Sequence, residues 1–139
     1  MSFREKTAWI ELITYSVAFG GYFLTLWQAW DELYARGLVI GLTVGAIIAL
    51  VIMAVTLTTV VALFTPKEAN APADERETLI DLKAERIASY ALSVGVVCLI
   101  GGLLAGMNGI LIAVLLQASL VIAELVKAIA QIAYFRLGA

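Results

Sequence analysis

The chain has no histidine and a single cysteine, Cys98, among its 139 residues. The usual side chains for zinc, haem or iron–sulfur ligation are therefore missing, and no metal or cofactor is expected. With no histidine, no metal constellation and no recognisable nucleophile–base pair, an enzyme is the least supported class. Only two prolines occur, Pro66 and Pro72, and both fall in one short stretch. Charge is scarce: 14% of residues, where a soluble domain carries about a quarter. The net charge of −2 leaves no basic surface for direct nucleic-acid binding. Cys98 lies inside an apolar run and is expected to be a small buried hydrophobe, because reactive thiols need a polar, exposed setting.

What is present is apolar. Hydrophobic residues make up 63% of the chain, with a mean hydropathy of +0.99. They gather in four runs, at about residues 8–30, 38–64, 87–105 and 110–135. Roughly 20 apolar residues cross a bilayer core as a helix, so each run is long enough. Backbone groups inside lipid must be satisfied within the segment, which selects helices. The expected fold is all-α: a polytopic membrane protein forming an antiparallel bundle of four transmembrane helices. One domain covers 1–139, with helices at about 3–30, 38–64, 74–105 and 110–135. The first run exceeds the roughly 7–15 residues of a signal-peptide core and ends in Trp27-Gln28-Ala29-Trp30-Asp31, so it reads as a retained helix.

Orientation follows from Lys and Arg bias. Arg4 and Lys6 precede the first run, Lys67, Arg76, Lys83 and Arg86 lie in the second connection, and Arg136 ends the fourth run. The opposite side carries Arg36 alone. This is expected to place both termini and residues 65–86 in the cytoplasm. The Trp residues agree. Trp9 and Trp27 are separated by about 27 Å along a helix, close to the thickness of a bilayer core.

Residues 65–73, with two prolines and small residues, read as a linker. Ser2-Phe3-Arg4-Glu5 and Asp74-Glu75-Arg76-Glu77 both have capping-box spacing. No breaker follows Asp74 until Gly95, so the third helix is expected to start in the cytoplasm and enter the membrane unbroken. Its residues 74–86 are expected to project about 18–20 Å. The links 31–37 and 106–109 are short, making neighbours of helices 1 and 2 and of helices 3 and 4.

Three features are candidates for function. The first is an intramembrane charge cluster of Glu11, Glu124 and Lys127. Ionisable groups inside a membrane helix are costly and point to function by default. Gln117, Glu124 and Gln131 are spaced by seven, so one seam of helix 4 is polar. Thr14, Tyr15, Thr56, Thr59, Ser89, Tyr90 and Ser93 are expected at similar depth. The arrangement fits a structural clamp, with Lys127 held by Glu11 or Glu124. It also fits a cytoplasm-facing cavity for an ion or small cation.

The second feature is the acidic stripe Asp74, Glu77, Asp81 and Glu85, with Arg76 and Lys83 on another face. Like charges at i,i+4 disfavour a helix slightly, so helix propensity does not explain the stripe. It reads as a solvated face paired with Arg4, Lys6 or Arg136, as a docking surface for a cytoplasmic partner, or as a divalent-metal site, although one helical stripe does not close a coordination shell. The third is a set of glycines on the outer side: Gly37, Gly41 and Gly45 in helix 2, Gly102 and Gly106 in helix 3. Small residues four apart let helices approach closely in lipid, either within one chain or in a homo-oligomer.

Residues 74–86, Asp-Glu-Arg-Glu-Thr-Leu-Ile-Asp-Leu-Lys-Ala-Glu-Arg, lead directly into the third apolar run. This segment resembles a D-E-R-[DE]-x-x-I-x-x-K-A-x-R motif found in certain small bacterial proteins with four transmembrane helices. Genes of that kind often neighbour a small helix-turn-helix regulator. The resemblance implies a membrane component that holds or releases a DNA-binding partner, and it carries no catalytic residue. Small multidrug resistance transporters share the four helices and a glutamate in helix 1, as Glu11 is here. Their helix 1 pattern and short connections are not matched. Fluoride channels share the size, but their Gly-Arg signature is missing. The one-sided charge bias also argues against the dual topology common in both groups. The leading expectation is a non-enzymatic regulatory or scaffold protein; a small ion-coupled transporter or channel using Glu11 and Glu124 is the alternative.

Overall fold

A computed structural model describes residues 3–64, 66 and 74–138. Ser2 of the first capping box, Lys67 and all of the 65–73 linker except Pro66 lie outside the described residues. Four helices account for nearly everything else: α1 (Phe3–Ala35), α2 (Leu38–Phe64), α3 (Glu75–Leu104) and α4 (Gly109–Leu137). All four are long and apolar enough to cross a membrane. The class is thus all-α, with four candidate transmembrane helices.

Local chemistry sets the helix ends. Helix α1 runs past the expected end near Trp30 to Ala35. No breaker intervenes before Gly37, whose φ of +67° is left-handed and which stops the helix. A kink at Ala29, with φ −129° and ψ 27°, turns this last stretch. Asp74 is the N-cap of α3, its carboxylate accepting from the Glu75 amide at 2.8 Å. Helix α3 closes in a Schellman arrangement, with Met107 N–H donating to Gly102 O at 3.1 Å and Gly106 N–H to Leu103 O at 3.0 Å. Asn108 caps α4 by accepting from Ile110 N–H at 2.8 Å and also donates to the Tyr34 hydroxyl at 2.7 Å. That bond joins the two short links.

The extensive interfaces are α3–α4, α1–α2 and α1–α4, so the helices are ordered α2–α1–α4–α3. The core is correspondingly small. Phe19, Tyr22 and Leu26 of α1 pack with Val39 of α2 and with Val114 and Val121 of α4. Rings along one side of α1 reinforce it: Tyr15 stacks on Phe19 at 6.2 Å, and Phe19 meets Tyr22 edge-on at 6.0 Å. Thr43 donates to Val39 O at 2.8 Å, which leaves the Tyr22 hydroxyl to donate to Thr43 Oγ at 2.6 Å. Most large apolar residues of α2 and α3 point outward, as lipid-facing residues do.

Two expectations change here. A side-chain carbon added at Gly41 or Gly45 meets nothing within 4 Å, so among the described residues no helix packs closely on those two positions. At Gly102 the close neighbour is Met107, in the turn of the same helix. The glycine where two helices do press together is Gly95, where an added carbon falls 2.7 Å from Ser119 Oγ. Cys98 is exposed. An apolar run buries a residue from water, but no neighbouring helix covers this side of α3.

Candidate functional site

The acidic stripe of α3 faces its neighbours. Glu77, Asp81 and Glu85 recur once per turn, and the buried residues Ile80, Ala84 and Ala88 recur beside them. Burying those apolar residues where α3 packs on α4 brings the acids to the edge of the same interface. Arg4, one turn into α1, reaches both Glu77, at 3.6 Å, and Asp81. Asp81 also accepts from Gln131 Nε2 of α4 at 3.1 Å. Glu85 receives the Lys127 ammonium at 2.8 Å.

Lys127 therefore makes its ion pair with Glu85, and not with Glu11 or Glu124 as the sequence suggested. A lysine stem is long and flexible. Neighbouring helices give it reach to an acid that sequence position assigns to another region. Glu11 and Glu124 stay close: Lys127 and all three carboxylates act on one another electrostatically. One ammonium thus has a direct acid partner, Glu85, and two further carboxylates, Glu11 and Glu124, within its electrostatic reach. The intramembrane cluster and the acidic stripe, distinct in the sequence, form one continuous polar lattice.

That lattice continues toward the helix ends. Arg136 Nε of α4 lies 3.6 Å from Glu5 Oε1, and its guanidinium sits 5.5 Å from the Trp9 ring centre. Lys83 stands 5.6 Å from the Tyr134 ring centre. An added side-chain carbon at Gly138 would sit 3.8 Å from Arg76. The start of α1 and the end of α4 therefore accompany residues 76–86 of α3, and this segment does not stand alone. Arg76 and Lys83 are exposed, as are Asp74 and Glu85, whereas Glu77 and Asp81 are half-buried.

The expected polar residues divide. Ser89 and Ser93 turn back on their own helix, donating to Arg86 O at 2.9 Å and Ser89 O at 2.7 Å. Thr56 and Thr59 are exposed on α2. Thr14 is fully buried, and its hydroxyl has no partner among the described residues. The amide nitrogen and oxygen of Gln117 are likewise buried and unpartnered among the described residues.

Gln117 borders a cavity that sequence reasoning did not anticipate. It holds about 610 Å³, and its walls include Tyr15, Phe19, Thr43, Leu92, Gln117 and Val121, drawn from all four helices. It exists because α2 and α3 flank the α1–α4 pair without closing on each other. Tyr15 belongs both to this cavity and to the electrostatic neighbourhood of Glu124, Glu11 and Lys127. The seven-residue repeat of Gln117, Glu124 and Gln131 was the one sequence signal pointing here. A second cavity, of about 490 Å³, lies between α1 and α4 beside Trp27 and Trp30. Among the described residues, no group of three or more His, Cys, Asp or Glu is placed to hold a metal ion.

No protein-family model, curated protein or solved structure matches this chain.

Proposed function

We propose that this chain is a non-enzymatic regulatory or scaffold protein of a bacterial inner membrane. In this reading the four helices form an antiparallel bundle with both termini cytoplasmic, and the start of α3 reaches into the cytoplasm to dock a soluble partner. Its support is one observation. Leu79 and Leu82 are 56% and 63% exposed on that segment. The acids beside them are already engaged by Arg4, Gln131 and Lys127. Two outward leucines three residues apart form an apolar edge on one helix face, and exposed Arg76, Lys83 and Arg86 lie around it. The docking surface then moves from the acidic stripe to this outer edge, and the stripe becomes the fastening that holds the segment in place. The resemblance of residues 74–86 to a motif in small bacterial membrane proteins supports a helix-turn-helix regulator as the partner. The open glycine face of α2 supports a homo-oligomer.

Affinity purification from native membranes in mild detergent tests the reading. The parent is expected to retain a stoichiometric cytoplasmic protein, and Leu79→Glu with Leu82→Glu to lose it. If the same proteins co-purify with both forms, there is no docking edge.

The Lys127 ion pair and the ionisable groups beside it favour a second reading, an ion-coupled transporter or channel using Glu11 and Glu124. Flux into proteoliposomes that is indifferent to Glu11→Gln and Glu124→Gln rejects it.

A further inference from the structure

We infer that the cavity beside Tyr15 and Gln117 binds a small amphiphilic cation, a primary ammonium carried on an apolar body. The site is independent of the docking edge on α3. It is a matter of binding, and so is distinguishable from transport.

Size and lining come first. About 610 Å³ falls within the range that accommodates drug-sized molecules, roughly 300–1,000 Å³. Most of the wall is aliphatic or aromatic, which selects an apolar body. Tyr15 and Phe19 present stacked rings along it, and a ring face attracts a cation more than an anion.

Charge comes second. The carboxylates of Glu11, Glu124 and Glu85 outnumber the Lys127 ammonium, and Tyr15 and Val121 connect the cavity to that group. Val121 precedes Glu124 by three residues on α4, so both share one helix face. An excess of carboxylate in the electrostatic neighbourhood of the wall residue Tyr15 raises the local concentration of cations. The acids do not converge as a metal shell, so the attraction is that of a field and suits a diffuse organic cation.

Polar satisfaction comes third. Gln117 Oε1 is a buried acceptor without a partner among the described residues. A buried, unpaired amide is costly, and a turn about the Gln117 side-chain torsions offers its oxygen to an ammonium in the cavity. An ammonium donates three hydrogen bonds, so it can meet Gln117 while the carboxylates beyond the wall act on it through their field.

Equilibrium binding to the purified full-length protein in detergent tests the site, with three probes that share one body: 4-phenylbutylammonium, 4-phenylbutanol and 4-phenylbutyrate. The ammonium is expected to bind at least tenfold tighter than the alcohol, and the carboxylate not at all. Glu124→Gln and Gln117→Leu should each weaken ammonium binding about tenfold, with the alcohol unchanged for Glu124→Gln. Ala113→Phe, which fills the cavity from a wall residue remote from the charges, should abolish binding of both. Equal affinity for the three probes overturns the inference. So does ammonium binding that survives Ala113→Phe, or that is unchanged in Glu124→Gln.

Discussion

Replacing Lys127 with alanine should destabilise the protein far more than removing the acid it touches. The Lys127–Glu85 pair is short, at 2.8 Å, but the side chains are 27% and 63% exposed. A pair with one mostly exposed partner contributes only about 0.2–1 kcal/mol, because solvent and salt screen it. Glu85→Ala removes that pair and leaves Lys127 beside Glu11 and Glu124, still compensated. Its expected cost is below about 1 kcal/mol. Lys127→Ala removes the same pair and leaves three carboxylates without the ammonium they share. Glu85 turns to solvent cheaply. Glu11 and Glu124 are only partly exposed, and an uncompensated group of this kind costs about 1–3 kcal/mol. The expected loss for Lys127→Ala is therefore about 2–3 kcal/mol. Adding Glu11→Gln should recover about 1 kcal/mol of it, as coupled neighbours do in a double-mutant cycle. Reversible denaturation in detergent micelles reads all four proteins. Equal losses for Glu85→Ala and Lys127→Ala would show that the pair alone matters and refute the shared-ammonium argument.

Further expectations follow from the same packing. Gly95→Leu should loosen the α3–α4 contact by about 1–3 kcal/mol in the same denaturation assay, since the added carbon meets Ser119 at 2.7 Å. Gly41→Leu, with nothing within 4 Å, should leave monomer stability unchanged and alter only cross-linked oligomer yield. Tyr22→Phe should cost about 0.6 kcal/mol, the usual worth of an interhelical hydrogen bond in a membrane protein, through its lost bond to Thr43 at 2.6 Å. Cys98 should resist both a membrane-permeant and a charged maleimide in vesicles and react once the protein is unfolded in denaturing detergent, because an apolar span keeps the exposed thiol from ionising.

The four helices were legible because the bilayer constraint acts on each segment by itself. A run such as 38–64 needs no partner to be recognised, and α2 spans those very residues. Pairings between segments were less legible. Arg4 was among the suggested partners of the acidic stripe and does engage it. The Lys127–Glu85 and Gln131–Asp81 contacts were not foreseen, because they depend on how far α4 runs alongside α3, which no local pattern encodes. Helical spacing did place Glu77, Asp81 and Glu85 on one face. It gave no indication of which way that face pointed. The glycine repeat left two readings open, packing within one chain or in a homo-oligomer; nothing within 4 Å opposes Gly41 and Gly45 here, and helix order, which the repeat does not encode, decides that. The cavity arises from the order α2–α1–α4–α3, and only the spacing of Gln117 from Glu124 hinted at a polar wall.

The long reach of the Arg4–Asp81 pair also has a consequence for synthesis. The partners are 77 residues apart in the chain. At roughly 5–20 residues per second, about 4–15 s separate their emergence from the ribosome. For that interval Arg4 has no acid from α3 to meet, and Glu5 waits longer still for Arg136. The amino-terminal hairpin must therefore sit in the membrane as an unfinished half, its charged end held by water and headgroups. Assembly closes only when the last helix arrives. A chain truncated before α4 should thus persist as an α1–α2 hairpin with α3 lacking its main packing partner, prone to quality-control proteolysis, and α4 supplied as a separate polypeptide is the fragment best placed to rescue it.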